Sequence, residues 1–595
     1  MEFLASVSEI MKKAFEQAGY PSDNAGVVIS NRPDLCQLQC NGAMALAKSA
    51  HKAPFVIAEE VAAALRDLGG EKVFSKIEVV KPGFLNLDAA PSFVAEYLRS
   101  MQADEKLGME KCGPKKIIID YGGPNVAKPL HVGHLRSAVI GESVKRIARF
   151  AGHDVTGDIH MGDWGLQMGL IICELKERKP ELVYFDESFT GEYPKEAPFT
   201  ISELEEIYPT ASGKSKEDAD YKAEAMACTK KLQDGQRGYR ALWDHIMAVS
   251  VADMKKNYVN LNVDFDLWNG ESTVHDRIPA MVSRLRSEGY AHESEGALVI
   301  DVKEETDTKE MPPCMVLKSD GASLYNTTDL ATLEMRREQA DPDQVIYVVD
   351  KRQSLYFEQI FRAAKKSHIV KDETKLDFLG FGTVNGKDGK PYKTREGGVM
   401  RLSMLIEQIR EAMLKKIIEN KENSGDTDID RAAAEQTANM VALAAIKYGD
   451  LSNQASKDYI FDVDRFTSFE GDTGPYILYT MVRIKSILDR YEAQGGKVSD
   501  TVLGEAEGED EIALSLQLTG FAKMAREAFE ELAPHKVCAY VYDLANALNR
   551  FYHSTRILAE SDADRQKRYI ALLALTERVF ETGIELLGFE CPDRM

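Results

Sequence analysis

The sequence predicts a multidomain α/β protein: a parallel-sheet domain carrying a long insertion, preceded by a small α+β unit and followed by an α-helical bundle. Three observations predict it. The apolar runs IIID (117–120), QVIYVV (344–349) and LDFLGFG (376–382) read as buried strands separated by helical periodicities. Beyond about residue 430 strand signals nearly vanish, and only Pro475, Pro534 and Pro592 interrupt helical patterns. The 595 residues, 44% of them apolar, suffice for several cores, three or four at roughly 100–200 residues per domain.

Residues 1–110 open on a helical pattern and pass through a second helix near FVIAEEVAAALRDLG to the strand-like KIEVV and the turn KPGFLNL. The basic, Gly-punctuated EKLGMEKCGPKK ends this unit. The next domain spans 111–430. Its first strand, IIID, runs into the turn GGPN, and Leu135, Val139, Ile140, Val144 and Ile147 then recur at helical spacing until Gly152 stops the helix. Strand, loop and helix in this order open a Rossmann-like nucleotide-binding fold. Residues of about 160–320 hold all three tryptophans and an acidic, Pro-bearing stretch, and read as an irregular insertion between two halves of the sheet. ENKENSGDTDID (419–430) is a polar loop ahead of the helical bundle, which takes residues 431–595.

The first twenty residues mix charges among apolar positions, unlike a signal peptide, and no stretch approaches the roughly 20 apolar residues that span a bilayer. No membrane association and a cytoplasmic location are therefore expected. Of the eight cysteines only Cys36 and Cys40 are close in sequence, and they lack a second pair at metal spacing, so reduced thiols and no metal site are expected. A formal charge of −22 argues against nonspecific coating of nucleic acid, which draws on clustered Lys and Arg. Local basic patches still permit RNA binding, with modest affinity sensitive to salt.

PNVAKPLHVGHLRSAVIG carries the strongest local signal. His131 and His134 flank Val132 and Gly133 at the start of the helix after the first strand, where free N–H groups and the helix dipole attract phosphate. Two imidazoles there supply donors to charge growing on an α-phosphate, and Gly133 leaves room for a nucleotide base. A histidine near a helix start ordinarily just caps it, and HxGH also occurs by chance; the position directly after a buried strand is what lends it weight.

HVGH resembles the HIGH signature of class I aminoacyl-tRNA synthetases and related nucleotidyl transferases. PNVAKPLHVGHLRS resembles the arginyl-tRNA synthetase family in particular, and the likeness extends over nearly the whole chain. The resemblance implies an enzyme that activates L-arginine with ATP and Mg²⁺ and transfers it to the terminal adenosine of tRNA(Arg). It makes His131, Gly133 and His134 nucleotide-binding residues. A KMSKS string is absent; NGKDGKPYKTREGG stands in its place, so Lys393, Thr394 and Arg395 would form the mobile phosphate loop, with Lys128 supplying the missing charge. Taken alone, such a Gly- and Lys-rich loop is more often a solvated hairpin.

A guanidinium needs planar acceptors and a buried carboxylate. Tyr325 and Asp329, at i and i+4 in SLYNTTDLATL, match the family's YxxxD pair on the arginine side chain. By the same resemblance Asp120, Asn125 and Gln353 hold the α-amino and carboxylate ends. Tyr356 departs from the family, which commonly has His there, and receives no role; Asp163, Trp164 and Gln167 match a further family block without a derivable one.

NGAMALAK and KPGFLNL resemble the family's N-terminal domain, which contacts the tRNA elbow. SFEGDTGPYILYTMVRI, LANALNRFYHSTRIL and LLGFECPDRM resemble its anticodon-binding domain. Arg483, Tyr552, His553 and Arg556 are candidates to stack on anticodon bases, although aromatics in a bundle are as often core. The family implies a monomer and arginine activation that requires bound tRNA. A small-molecule adenylyl transferase, another class I specificity and a catalytically silent tRNA-binding homologue are the rivals.

Overall fold

The computed structural model describes residues 2–110, 112–390, 392, 400–423 and 430–595. The chain forms two compact units: Met1–Cys112 with Phe469–Leu586 and Glu590–Met595, and Gly113–Ser468 with Leu587–Phe589.

In the first unit, α1 (Phe3–Gln17) turns Phe3, Val7, Met11, Ala14 and Phe15 inward at helical spacing. There follow β1 (Val27–Ile29), β2 (Leu38–Cys40), α2 (Gly42–Leu46), α3 (Pro54–Asp67), β3 (Phe74–Val80), β4 (Phe84–Ala89) and α4 (Pro91–Ala103). The strands make an antiparallel sheet in the order β1-β2-β4-β3, so the expected α+β unit is present.

The second unit begins with β5 (Lys116–Asp120), whose Ile117, Ile118 and Ile119 are all buried, as a strand covered on both faces requires. Next come α5 (Val132–Phe150), β6 (Asp154–Met161), α6 (Leu166–Arg178), α7 (Ile201–Glu217), α8 (Ala219–Gln233), α9 (Arg237–Asn260) and β7 (Leu267–Gly270). A helix α10 (Ile278–Ser287) leads to β8 (His292–Ser294), β9 (Ala297–Ile300) and β10 (Cys314–Leu317), a small antiparallel sheet. Then α11 (Tyr325–Gln339), β11 (Gln344–Asp350), α12 (Ser354–Lys366) and β12 (Lys375–Phe381) complete the main sheet, whose order β12-β11-β5-β6-β7 is parallel throughout.

Two expectations need correction. Residues 160–320 are largely regular, and β7 within them is a strand of the main sheet; at four residues, LWNG, it is too short to show a periodicity. The helix α14 (Arg431–Leu451), which the sequence places in the terminal bundle, belongs to the second unit together with α13 (Leu402–Asn423) and α15 (Val463–Phe466). Helical periodicity marks a buried face without saying which core receives it. Here the core is that of α5, whose Arg136 pairs with Asp450 of α14 at 3.1 Å, both side chains inaccessible to solvent.

The remaining helices return to the first unit: α16 (Gly474–Ala493), α17 (Glu509–Thr519), α18 (Phe521–Glu530), α19 (Pro534–Ser554) and α20 (Ala563–Leu587). Pro475 and Pro534 sit in the first turns of α16 and α19, where a missing N–H costs nothing, so they start helices and do not break them. Among the described residues no helix is long and apolar enough to cross a membrane.

Candidate active site

From β5 the main sheet grows one way through β6 and β7 and the other way through β11 and β12. The crevice outside the carboxyl ends of β5 and β11 is thus a topological switch point, where open α/β sheets bind ligands. The start of α5 and the loop before it lie beyond β5, and Gln353 lies just beyond β11, exposed.

His131 is the N-cap of α5. Its Nδ1 accepts from the Gly133 N–H at 3.0 Å, and His134 Nδ1 accepts from the His131 N–H at 3.1 Å. The two rings stack with centroids 3.9 Å apart. Capping and phosphate donation therefore do not compete. Because both Nδ1 atoms are acceptors, each neutral imidazole must carry its proton on Nε2 and offers that N–H as a donor. Burial, then Lys128, pushes His131 below its ordinary value; burial, then His131 and Lys128, pushes His134 down to about 3. At neutral pH both are uncharged donors.

Gly133 serves this arrangement in a way the motif does not reveal: a Cβ there would lie 2.7 Å from His131 Cε1 and 2.8 Å from Nδ1. Beside it, the Val132 N–H donates to Met400 O at 3.0 Å, the Leu402 N–H donates to Leu130 O at 2.8 Å, and His131 pairs with Arg401 as an antiparallel bridge. The chain just after the Lys-rich loop is thereby tied to HVGH. Lys393, Thr394 and Arg395 themselves lie outside the described residues.

A cavity of 470 Å³ opens here, lined among others by Asn125, Lys128, Gln167, Tyr208, Glu271 and Tyr325. The Lys128 ammonium stands 4.3 Å from the centre of the Tyr208 ring. Asn125 pairs with Gly162, where any Cβ would fall 2.0 Å from Asn125 Oδ1. The block around Trp164 acquires a role. Gln167 Nε2 donates to Val126 O and so holds the loop that carries Asn125 and Lys128. Asp163 accepts from the Ser272 N–H at 3.0 Å and from its hydroxyl, which fixes the turn that carries Glu271.

Tyr325 opens α11 and is 67% exposed, while Asp329 lies one turn on, its carboxylate taking a hydrogen bond from the Tyr356 hydroxyl. Asp120, at the end of β5, is buried and already partnered: Arg336 Nη2 donates to Asp120 Oδ2 at 2.7 Å and to Asp158 Oδ2 at 2.8 Å. Its charge serves the protein as well as any ligand. Burial, then Asp163 and Asp329, pushes the Glu271 carboxyl up to about 8. The structure thus assembles Asn125, Lys128, Tyr325 and Glu271 around one cavity, with Asp329 close enough to Glu271 to feel its charge. Among the described residues the lining holds one carboxylate, Glu271, and three lysines, Lys128, Lys216 and Lys222, so it offers contacts to a cation and to anions alike.

Comparison with known proteins decides the family. Residues 2–89 match the arginyl tRNA synthetase N terminal domain, 98–463 the catalytic domain of class I (R) tRNA synthetases, and 477–595 the DALR anticodon binding domain. The chain is 61% identical, over 99% of both chains, to an arginine–tRNA ligase of Agathobacter rectalis. The chain belongs to the arginyl-tRNA synthetase family. To a second arginine–tRNA ligase, from Alkaliphilus oremlandii, it is 54% identical over 100% of both. The solved arginyl-tRNA synthetase of Plasmodium falciparum shares the fold at a TM-score of 0.81 and 24% identity, covering 100% of this chain and 99% of that one.

In this arginyl-tRNA synthetase family member, sequence reasoning missed Glu271 and Tyr356. Glu271 had no motif; its signal is the GDW block that anchors its turn. With its carboxyl at about 8, Glu271 carries a proton at pH 7, and a guanidinium beside it favours the ionised form. Arginine binding at pH 7 is expected to release up to about one proton and to tighten as pH rises toward 8. Titration calorimetry in buffers of different ionisation enthalpy checks this, and Glu271→Gln should abolish the release.

Gly133→Ala is expected to lower pyrophosphate exchange at least about tenfold, since the added methyl displaces the His131 ring. Alanine's better helix propensity offsets the weakened cap, so the thermal midpoint should stay nearly constant, which a melting curve shows.

On the first unit, the Arg483 guanidinium lies 5.0 Å from the centre of the Tyr479 ring and 4.8 Å from that of Tyr552, whose ring meets His553 at 5.4 Å. Tyr479 and Tyr552 are exposed, as are His553 and Arg556, so these aromatics are surface groups.

Proposed function

We propose that the chain activates L-arginine with ATP to arginyl-adenylate and transfers the arginyl group to the 3′-terminal adenosine of tRNA(Arg). The observation that carries this is the pair of stacked histidines at the α5 N-terminus, each with its Nδ1 engaged by a backbone N–H, beside the cavity lined by Lys128 and Glu271 at the switch point. The arginine carboxylate attacks the α-phosphate and pyrophosphate leaves. His131, His134 and Lys128 donate to the charge that builds on the phosphoryl group, so rate comes from positioning and electrostatic stabilisation, and no side chain acts as nucleophile. Asp329, Glu271 and Tyr325 face the guanidinium, and Asp120, Asn125 and Gln353 serve the α-amino and carboxylate end. Lys393, Thr394 and Arg395 attend the β- and γ-phosphates.

Among the described residues no group of three or more His, Cys, Asp or Glu side chains is arranged to hold a metal ion. The Mg²⁺ that this reading requires enters with the triphosphate, whose oxygens supply most of its ligands. The N-terminal domain contacts the tRNA elbow, and Arg483, Tyr552, His553 and Arg556 meet anticodon bases. The protein works as a monomer in the cytoplasm.

ATP–pyrophosphate exchange with each of the twenty amino acids, with and without total tRNA, tests this. Exchange that needs arginine and tRNA together is expected. Exchange with another amino acid overturns the pocket assignment, and tRNA binding with no exchange identifies a silent homologue.

A further inference from the structure

Tyr356 and Asp329 are joined across two helices. The Tyr356 hydroxyl, near the start of α12, donates to Asp329 Oδ2 on α11. The ring that carries it is fixed: it meets Phe357 edge-on at 5.1 Å and 87°, and Phe357 is itself core. With Oδ2 occupied, Oδ1 remains to meet a ligand.

Nor can the donor be lost to titration. Burial, then the charge of Asp329, pushes the Tyr356 phenol far above its ordinary value. Burial drives the Asp329 carboxyl up, toward its neutral form; His160 and the hydrogen bond from Tyr356 act against this, Asp120 with it, and Arg336 against it. Deleting the hydroxyl leaves a desolvated carboxylate short of a donor and free to rotate.

We propose that Tyr356 is a positioning residue for arginine recognition: it locks the Asp329 carboxylate in the rotamer that presents Oδ1 to the guanidinium. This rests on the proposed arginine activation. Because it touches Asp329 and no phosphate-binding group, it acts on amino-acid affinity alone.

The test is pyrophosphate exchange by the full-length enzyme with tRNA present, comparing wild type, Tyr356→Phe and a variant bearing p-aminophenylalanine at position 356, which restores a donor at the same point. Tyr356→Phe should raise the KM for arginine at least about tenfold, ~1.4 kcal/mol, with kcat and the KM for ATP within about twofold. The amino variant should recover to within about threefold of wild type. An arginine KM that stays within about twofold, an ATP KM that rises in parallel, or no recovery in the amino variant overturns the proposal. Wild-type enzyme that fails to exchange with arginine overturns the functional reading instead.

Discussion

Asparagine in place of Asp329 will lower kcat/KM for arginine in pyrophosphate exchange by about 10²–10³-fold while leaving the KM for ATP within about twofold. Removing one partner of a buried ion pair costs about 3–5 kcal/mol, because the other charge is left desolvated and unpaired. Asparagine keeps the shape of the side chain and an oxygen for the Tyr356 hydroxyl, so only the charge is lost. Stability should move the other way. The Asp329 carboxyl is held above its ordinary value in the folded protein, chiefly by burial, so ionising it at neutral pH opposes folding. The folded state binds more protons than the unfolded one between the two values, and stability falls as pH rises through that window. Asp329→Asn removes the opposition; its melting midpoint should match or exceed wild type at pH 7.5, and the difference should shrink on acidification. A lower midpoint together with a raised ATP KM would make Asp329 a structural group.

How much of this was readable in the sequence follows from how local each feature is. IIID followed by HVGH announces a strand and a helix start within a span of 20 residues, and the switch point follows once β11 and β12 are recognised as the other half of the sheet. Tyr325 and Asp329 lie one helical turn apart, so spacing alone places them on one face. Partners from distant segments leave no such trace. Arg336 reaches Asp120 across 216 residues of chain, and Tyr356 reaches Asp329 across 27, from a different helix. Glu271 stands in a turn whose neighbours are polar and unpatterned; only the packing of Asp163 against Gly270 and Ser272 brings it to the cavity. The two histidines show a subtler limit. Sequence presents capping and donation as alternatives, whereas the imidazole has two nitrogens and uses one for each.

That division of labour makes a last expectation sharp. His134→Ala should lower kcat for pyrophosphate exchange by about 10²–10³-fold, the cost of removing one preorganised donor from a transition state with growing oxyanion charge. It also removes the acceptor of the His131 N–H, a cap contribution of about 1 kcal/mol, so the variant should melt slightly lower at pH 7.5. Acidification should then reverse the order of loss. In the folded protein His134 is held down to about 3, whereas unfolded it titrates near the ordinary imidazole value of 6.5. Between these values the unfolded chain binds a proton that the folded one refuses, so wild-type stability is lost as pH falls below about 6.5. The variant lacks this linkage, so the two stability curves should converge as pH falls below about 6.5 and then cross, at about 1.4 kcal/mol per pH unit against a cap deficit of about 1 kcal/mol. Activity should show no His134 limb between pH 6 and 8, because that donor is neutral throughout. An acid limb in kcat near 6.5 that disappears in His134→Ala would mean that a charged imidazolium takes part, and the neutral-donor assignment would fail.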